Sequence, residues 1–405
     1  MISLLLTIII FAKIYFFFKR DKYFLPYFFL MAPFAASLIF YYIQKFDPKY
    51  IELDPFLLVL WILCSFFFLL GSGLVKSFKI KPKRSKITIR KRYLNIVCFL
   101  TIFITIFFLY RARDFITSSS YNAYLFTDQF IIDYFDSSLI EFSRSFIMLM
   151  VALLLTLSNK KILAIITLVV SVFILIFFQI KGMVIQPILA GLIMKYDTFF
   201  VQQMRKLVIP MTIFIFIIFT LFYYLPKYIT DEDTGFDKVT NSISNYMFAG
   251  VLAFDYSDKK SFDKQGVDYL LSPFNNLLRR VTGWERVSIS NDYRKTISVS
   301  DGVTSNVRTI FGTIYLHTNL FITLLAAFII GGISRLLYEF RNLNIYFRLS
   351  YGFFSSVLIF GFFEYYFWHQ YIITLISVPF LIGIISTLIT NENLRPASTS
   401  ISRNT

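Results

Sequence analysis

The chain has 405 residues, of which 57% are hydrophobic and 20% aromatic, with a mean hydropathy of +0.66 and a formal net charge of +16. A composition this apolar excludes an ordinary water-soluble enzyme and makes lipid the solvent for most of the chain. The two cysteines, Cys64 and Cys98, both fall inside apolar runs, which argues against a disulfide framework and a cysteine-based metal site.

A bilayer core roughly 30 Å thick needs about 20 apolar residues per helix. Eleven segments come near that length: residues 1–18, 23–43, 56–74, 93–110, 139–157, 162–180, 183–194, 207–225, 309–333, 349–363 and 371–390. The first contains Lys13 but lacks the basic start and small-residue cleavage site of a signal peptide, so a retained helix is expected. Segment 183–194 is short and suits a re-entrant or tilted element; segment 349–363 is also short and carries Gly352 and Gly361. The expected fold is all-α and polytopic. Eight helices fill residues 1–226, a polar loop occupies 227–306, three helices fill 307–390, and a tail follows at 391–405. No internal repeat is visible, which weighs against an inverted-repeat transporter.

Orientation follows from the basic residues. Residues 75–92 hold nine Lys and Arg and no acid, so this loop is expected in the cytoplasm. Alternation from it puts 22 basic residues and four acids (Asp21, Asp197, Glu339, Glu392) inside, leaving 18 basic and 20 acidic residues elsewhere. The first residue is then extracytoplasmic, the tail cytoplasmic, and loop 227–306 extracytoplasmic. The same partition removes nucleic acid as a partner, because the excess charge sits in short loops that set topology and meet anionic lipid headgroups.

An eighty-residue polar loop is far longer than a helix connection requires. It carries Arg279, Arg280, Arg286 and Arg294 with Trp284 among them, and ends at Asn306-Val307-Arg308-Thr309, where the chain re-enters the membrane. Arginine binds phosphate in two-point fashion and keeps its charge in a partly dry site; pairing with Asp268, Glu285, Asp292 and Asp301 is the competing use. Glu141 and Arg144, spaced i, i+3, can pair at the start of a helix, and ionisable groups below the interface usually face a polar cavity. Glu364 and His369 sit among Tyr365, Tyr366 and Trp368 and read as an interfacial aromatic belt. With Arg308 at the surface, His317 is expected about 13 Å further along the same helix, well below the interface. Gly-rich phosphate loops and zinc-protease helices are absent from the sequence, and neither metal nor cofactor is expected.

Two runs carry a resemblance. Phe248-Ala249-Gly250-Val251-Leu252-Ala253-Phe254-Asp255 opens the loop, and Asn306-Val307-Arg308-Thr309-Ile310-Phe311-Gly312-Thr313-Ile314-Tyr315 closes it. Together with the helix layout they resemble the Wzy-type O-antigen polymerases, the second run through an Asn-x-x-Thr-x-x-Gly-x-x-Tyr pattern. His317 stands where those proteins show an acid. The layout also resembles GT-C-like membrane glycosyltransferases without a soluble domain. The resemblance implies a metal-independent enzyme in the bacterial inner membrane that joins undecaprenyl-pyrophosphate-linked oligosaccharide repeat units at its periplasmic face. It implies membrane lipid and a chain-length-determining co-polymerase as partners. On that expectation the catalytic residues come from Arg308, His317, Asp255 and Glu141, with Asp301 a further candidate base. Arg144, Arg279, Arg280, Arg286, Arg294, Asn306, Thr309, Tyr315 and Trp284 would bind pyrophosphate or glycan. An O-antigen ligase and a flippase for lipid-linked oligosaccharide are the rival readings, with a membrane acyltransferase a weaker third.

Overall fold

In hydrocarbon each backbone polar group must find its partner within the protein, and a helix achieves this within one segment. The apolar runs accordingly form helices. The computed structural model describes residues 25–44, 52–75, 91–116, 138–157, 162–177, 181–196, 249–254, 266–283, 297–300, 303–305 and 308–392, with residues 9, 12 and 247. Its helices are α1 (Leu25–Gln44), α2 (Pro55–Val75), α3 (Lys91–Ile116), α4 (Ser138–Thr156), α5 (Ile162–Phe177), α6 (Lys181–Tyr196), α7 (Gly266–Thr282), α8 (Ile310–His317), α9 (Leu320–Phe340), α10 (Ile345–Ile359) and α11 (Gln370–Glu392). Among the described residues six helices are long and apolar enough to cross a membrane: α1, α2, α3, α9, α10 with the 3-10 turn that follows it, and α11. Shorter apolar helices come from α4, α5 and α6. The chain is a helical membrane protein. Segment 207–225 and, but for residues 9 and 12, segment 1–18 lie outside the described residues.

Two expectations need correction. The run 309–333 is not one helix but breaks at Thr318–Asn319. Asn319 caps α9 by accepting from the Ile322 amide at 2.9 Å, and the Thr318 hydroxyl donates back to the Ile314 carbonyl at 2.5 Å. A side-chain cap of this kind starts a new helix and competes with continuation of the old one. The stretch expected to be loop also holds ordered elements, helix α7 and a short hairpin in which β1 (Ile297–Ser300) pairs antiparallel with β2 (Val303–Ser305), in an otherwise helical fold.

The expected connection 334–348 shrinks to the turn 341–343, because α9 runs on to Phe340. Its arginines hold that turn together. Arg335 pairs with Glu339 at 2.5 Å, Arg341 lies 3.5 Å over the Tyr338 ring, and Arg348 donates to Asn342 Oδ1 at 2.8 Å. Asn344 caps α10 and ties it to α11 by donating to the Gly383 carbonyl at 3.0 Å and the Thr387 hydroxyl at 3.1 Å.

The closest helix pair is α2 with α9. A Cβ added at Gly71 would fall 1.9 Å from the Phe328 carbonyl oxygen, and one at Gly331 would fall 2.0 Å from that of Phe68. Small residues permit such backbone contact, which drives helix association where no hydrophobic force exists between apolar surfaces. Trp61 and Phe56, in the first half of α2, touch Thr309, Phe311 and Tyr315, just ahead of α9. The second half of α2 meets the middle of α9, so the two helices run parallel. Helix α1 lies antiparallel to α2, with Phe34 stacked on Trp61 at 3.8 Å and Tyr27 near Phe68 at 6.3 Å. On the far side α6 packs between α4 and α10, α10 packs on α11, and α3 and α5 flank α4. Their outward faces are apolar, Phe103 being 67% and Ile162 78% exposed, as lipid-facing surfaces require.

Candidate functional site

The functional residues of the closing motif are placed by local bonds. Thr309 caps α8, its hydroxyl oxygen accepting from the Gly312 amide at 3.1 Å and from the Trp61 indole N–H at 3.4 Å. Its own amide donates to the Gly250 carbonyl at 3.2 Å, stitching the two resemblance runs together. A Cβ at Gly250 would press on the Phe363 carbonyl oxygen at 2.5 Å, and one at Gly312 would meet the Thr309 hydroxyl at 2.8 Å and the Phe254 ring at 3.0 Å. Tyr315 completes an aromatic wall, 5.0 Å from Phe56 and 6.1 Å from Phe254. The threonine, glycine and tyrosine of the pattern thus cap, admit a close neighbour and pack.

What they fix in place is Arg308. Its carbonyl accepts from the Thr313 hydroxyl at 3.2 Å, and the residue is 4% exposed. Thr309 and Phe311 lie against Trp61, whereas Tyr315 lies against Phe56, nearer the start of α2. Helix α8 therefore climbs toward the N-terminal end of α2, and Arg308 is at its deep end, six residues below Pro55 or roughly 9 Å along α2. This reverses the expected depths: His317 is at the outer end of α8 and Arg308 at the inner end. The segment 308–317 is too short to span: α8 runs antiparallel to α2, and α9 then runs parallel to it.

His317 is 3% exposed. Burial, and secondarily the Arg308 charge, lowers its pKa to about 4, so the imidazole is neutral at physiological pH. A base this weak is poorly matched to removing a hydroxyl proton near neutrality.

A second polar cluster forms where α4, α6 and α11 begin. Arg144, 6% exposed, lies 5.0 Å over the Tyr371 ring, a cation–π contact worth about 2 kcal/mol when desolvated. The Tyr371 hydroxyl donates to Gln186 Oε1 at 3.4 Å, and the Gln186 Nε2 finds no hydrogen-bond partner among the described residues. His369 and Glu364 approach to 3.3 Å, and the His369 ring sits 5.5 Å from Tyr371 and 5.6 Å from Tyr366. Tyr365, buried beside this turn, has its phenol pKa pushed up by burial and stays protonated. Helix α7 touches α8 on one side and α11 with the Tyr366–Trp368 turn on the other, so it bridges the two clusters.

Of the expected site residues, Arg308, Thr309, Tyr315 and His317 come together, and Arg144 joins the second cluster. Arg279 and Arg280 belong to α7 and Glu141 to α4, but their side chains lie outside the described residues, as do Asp255, Trp284, Arg286, Arg294, Asn306 and Asp301. Sequence reasoning missed Gln186, Tyr371 and Trp61. The signal for Gln186 was a lone amide in the apolar run 183–194; Tyr371 and Trp61 gave none beyond their place in spans.

Among the described residues, six helices long and apolar enough to cross a membrane, with buried Arg308 packed beside them, define a helical membrane protein. Residues 51–392 match the model of DUF6337, a family of unknown function, and the chain belongs to that family. No curated protein and no solved structure matches it.

Proposed function

We propose that the chain polymerises undecaprenyl-pyrophosphate-linked oligosaccharide repeat units at the outer face of a bacterial inner membrane, with its first residue outside and its tail in the cytoplasm. The observation that carries this reading is Arg308, a buried arginine at the start of α8, whose neighbour Thr309 lies level with Trp61, roughly 9 Å along α2 from its first residue. A polyprenyl diphosphate keeps its tail in hydrocarbon and its charge near the interface, which is the depth range α8 covers. The acceptor hydroxyl of one repeat unit attacks the anomeric carbon of the growing chain. The bond from that carbon to the pyrophosphate oxygen breaks, and undecaprenyl pyrophosphate leaves with the electron pair. Arg308, with Arg144 and the arginines of α7, neutralises the departing charge; a fixed cation in a dry site is worth far more than one in water. The hydroxyl proton passes to a carboxylate, Asp255 or Glu141. Tyr371 and Gln186 suit hydrogen bonding to the glycan.

The burial of Arg144 and Arg308 inside the bundle also favours a second reading, a flippase that carries the same lipid-linked glycan past internal cations. One experiment separates them. In cells making their own lipid-linked glycan, Arg308→Ala in a polymerase leaves surface lipid capped with a single repeat unit. In a flippase it leaves no cap at all, and unchanged long chains remove Arg308 from either site.

A further inference from the structure

Helix α7 turns hydrocarbon away from the protein. Val267, Leu271, Phe274 and Leu278 recur at steps of four, three and four, which places them on one side of a helix. They are 42%, 45%, 42% and 47% exposed, whereas Leu270 and Ser272 are buried against the bundle. A helix on a water-facing surface does the reverse, burying its apolar stripe. The exposed Asp268 lies about a quarter-turn from the stripe.

The surroundings identify what covers it. Helix α7 packs on α8, on the Tyr366–Trp368 turn and on α11, so it lies at the end of the bundle where the spans terminate. Beside it, α11 carries its own outward apolar side chains, Val378, Leu381 and Ile385, into lipid. We propose that α7 is an interfacial helix seated in the leaflet on the site side, with Val267, Leu271, Phe274 and Leu278 among phospholipid acyl chains. So placed, it is held by lipid on one flank and by α8 and α11 on the other, across the two polar clusters. This rests on the chain being a membrane protein and not on what it transfers.

The test uses the full-length protein in vesicles of phosphatidylethanolamine and phosphatidylglycerol, with nitroxide labels at Leu271→Cys, Phe274→Cys and Asp268→Cys, all exposed positions where a label is tolerated. Cys64 and Cys98 are buried and stay unlabelled. Labels at 271 and 274 are expected to collide several-fold more with oxygen than with a water-soluble nickel chelate, and the label at 268 to show the opposite order. Greater nickel access at 271 and 274 would put the helix in water and overturn the proposal. Immobile labels shielded from both reagents would also overturn it, by showing that a protein surface, such as a second copy of the chain, covers the stripe.

Discussion

The indole N–H of Trp61 donates to the Thr309 hydroxyl at 3.4 Å, joining the long helix α2 to the cap of the short helix α8 across 248 residues of sequence. Both side chains are fully buried, so the position of Arg308, the preceding residue, is set by this bond and by the Gly312 amide on the same oxygen.

Replacing Thr309 by Val should therefore cost about 2 kcal/mol. The lost cap contributes about 1 kcal/mol, and the stranded indole donor a comparable amount. Unfolding in mild detergent checks this. Thr309→Ser, which keeps the oxygen, should recover most of the loss, and Trp61→Phe should make Thr309→Val less damaging.

Gly71→Ala and Gly331→Ala should each separate α2 from α9 and destabilise by about 3 kcal/mol, the upper range for overpacking. Because both relieve one contact, the double variant should fall well short of the sum. Gly73→Ala, with no atom within 4 Å of the added methyl, should be neutral. Thermal stability of the four purified variants decides the matter.

Tyr371→Phe keeps a ring beneath Arg144 and removes only the hydroxyl that donates to Gln186, so a loss of about 1 kcal/mol is expected. Tyr371→Leu also removes the cation–π face and should cost about 1–2 kcal/mol more. Equal losses in the two variants would show that the ring does not support the guanidinium.

His317 titrates at about 4 in the folded protein against about 6.5 when unfolded, so the folded state resists its protonation. Its contribution is full above pH 6.5, declines as pH falls from 6.5 toward 4, and levels off below. The total is on the order of 3 kcal/mol at 1.36 kcal/mol per unit. His317→Gln should flatten the stability profile across that window, and an unaltered slope would assign it to other groups.

On the proposed polymerase reading, Arg308→Lys keeps a charge but loses the planar fork that can bind a diphosphate at two points. A fall in polymer formation of about 100-fold is expected, comparable to loss of one oxyanion donor. It should appear in the rate of undecaprenyl pyrophosphate release from reconstituted protein, with thermal stability nearly unchanged.

Much of the helical layout was legible because membrane spans announce themselves by apolar length, a signal that needs no partner. The bounds 56–74 and 371–390 fell within two residues of α2 and α11. The break at Asn319 was less visible: the apolar run 309–333 continues through it, and only a cap geometry ends α8 there. The hairpin was missed because seven residues of Ile, Val, Ser and Thr carry too little hydrophobic contrast to stand out in a polar loop. For the site, Arg308, Thr309 and Tyr315 could be picked out by type and spacing. Their depth could not, since it depends on Trp61 and Gly250, residues brought near only by folding.

The glycine-to-backbone contact between α2 and α9 also constrains biogenesis. The two partners are separated by 260 residues, from Gly71 to Gly331, so α2 enters the bilayer long before its mate has been synthesised. Until then a nascent chain presents a bare groove to lipid or to whatever insertion factor shelters it. Any truncation upstream of Leu320 leaves that groove permanently vacant, and such products should be recognised and degraded by membrane proteases even though their earlier helices have already inserted.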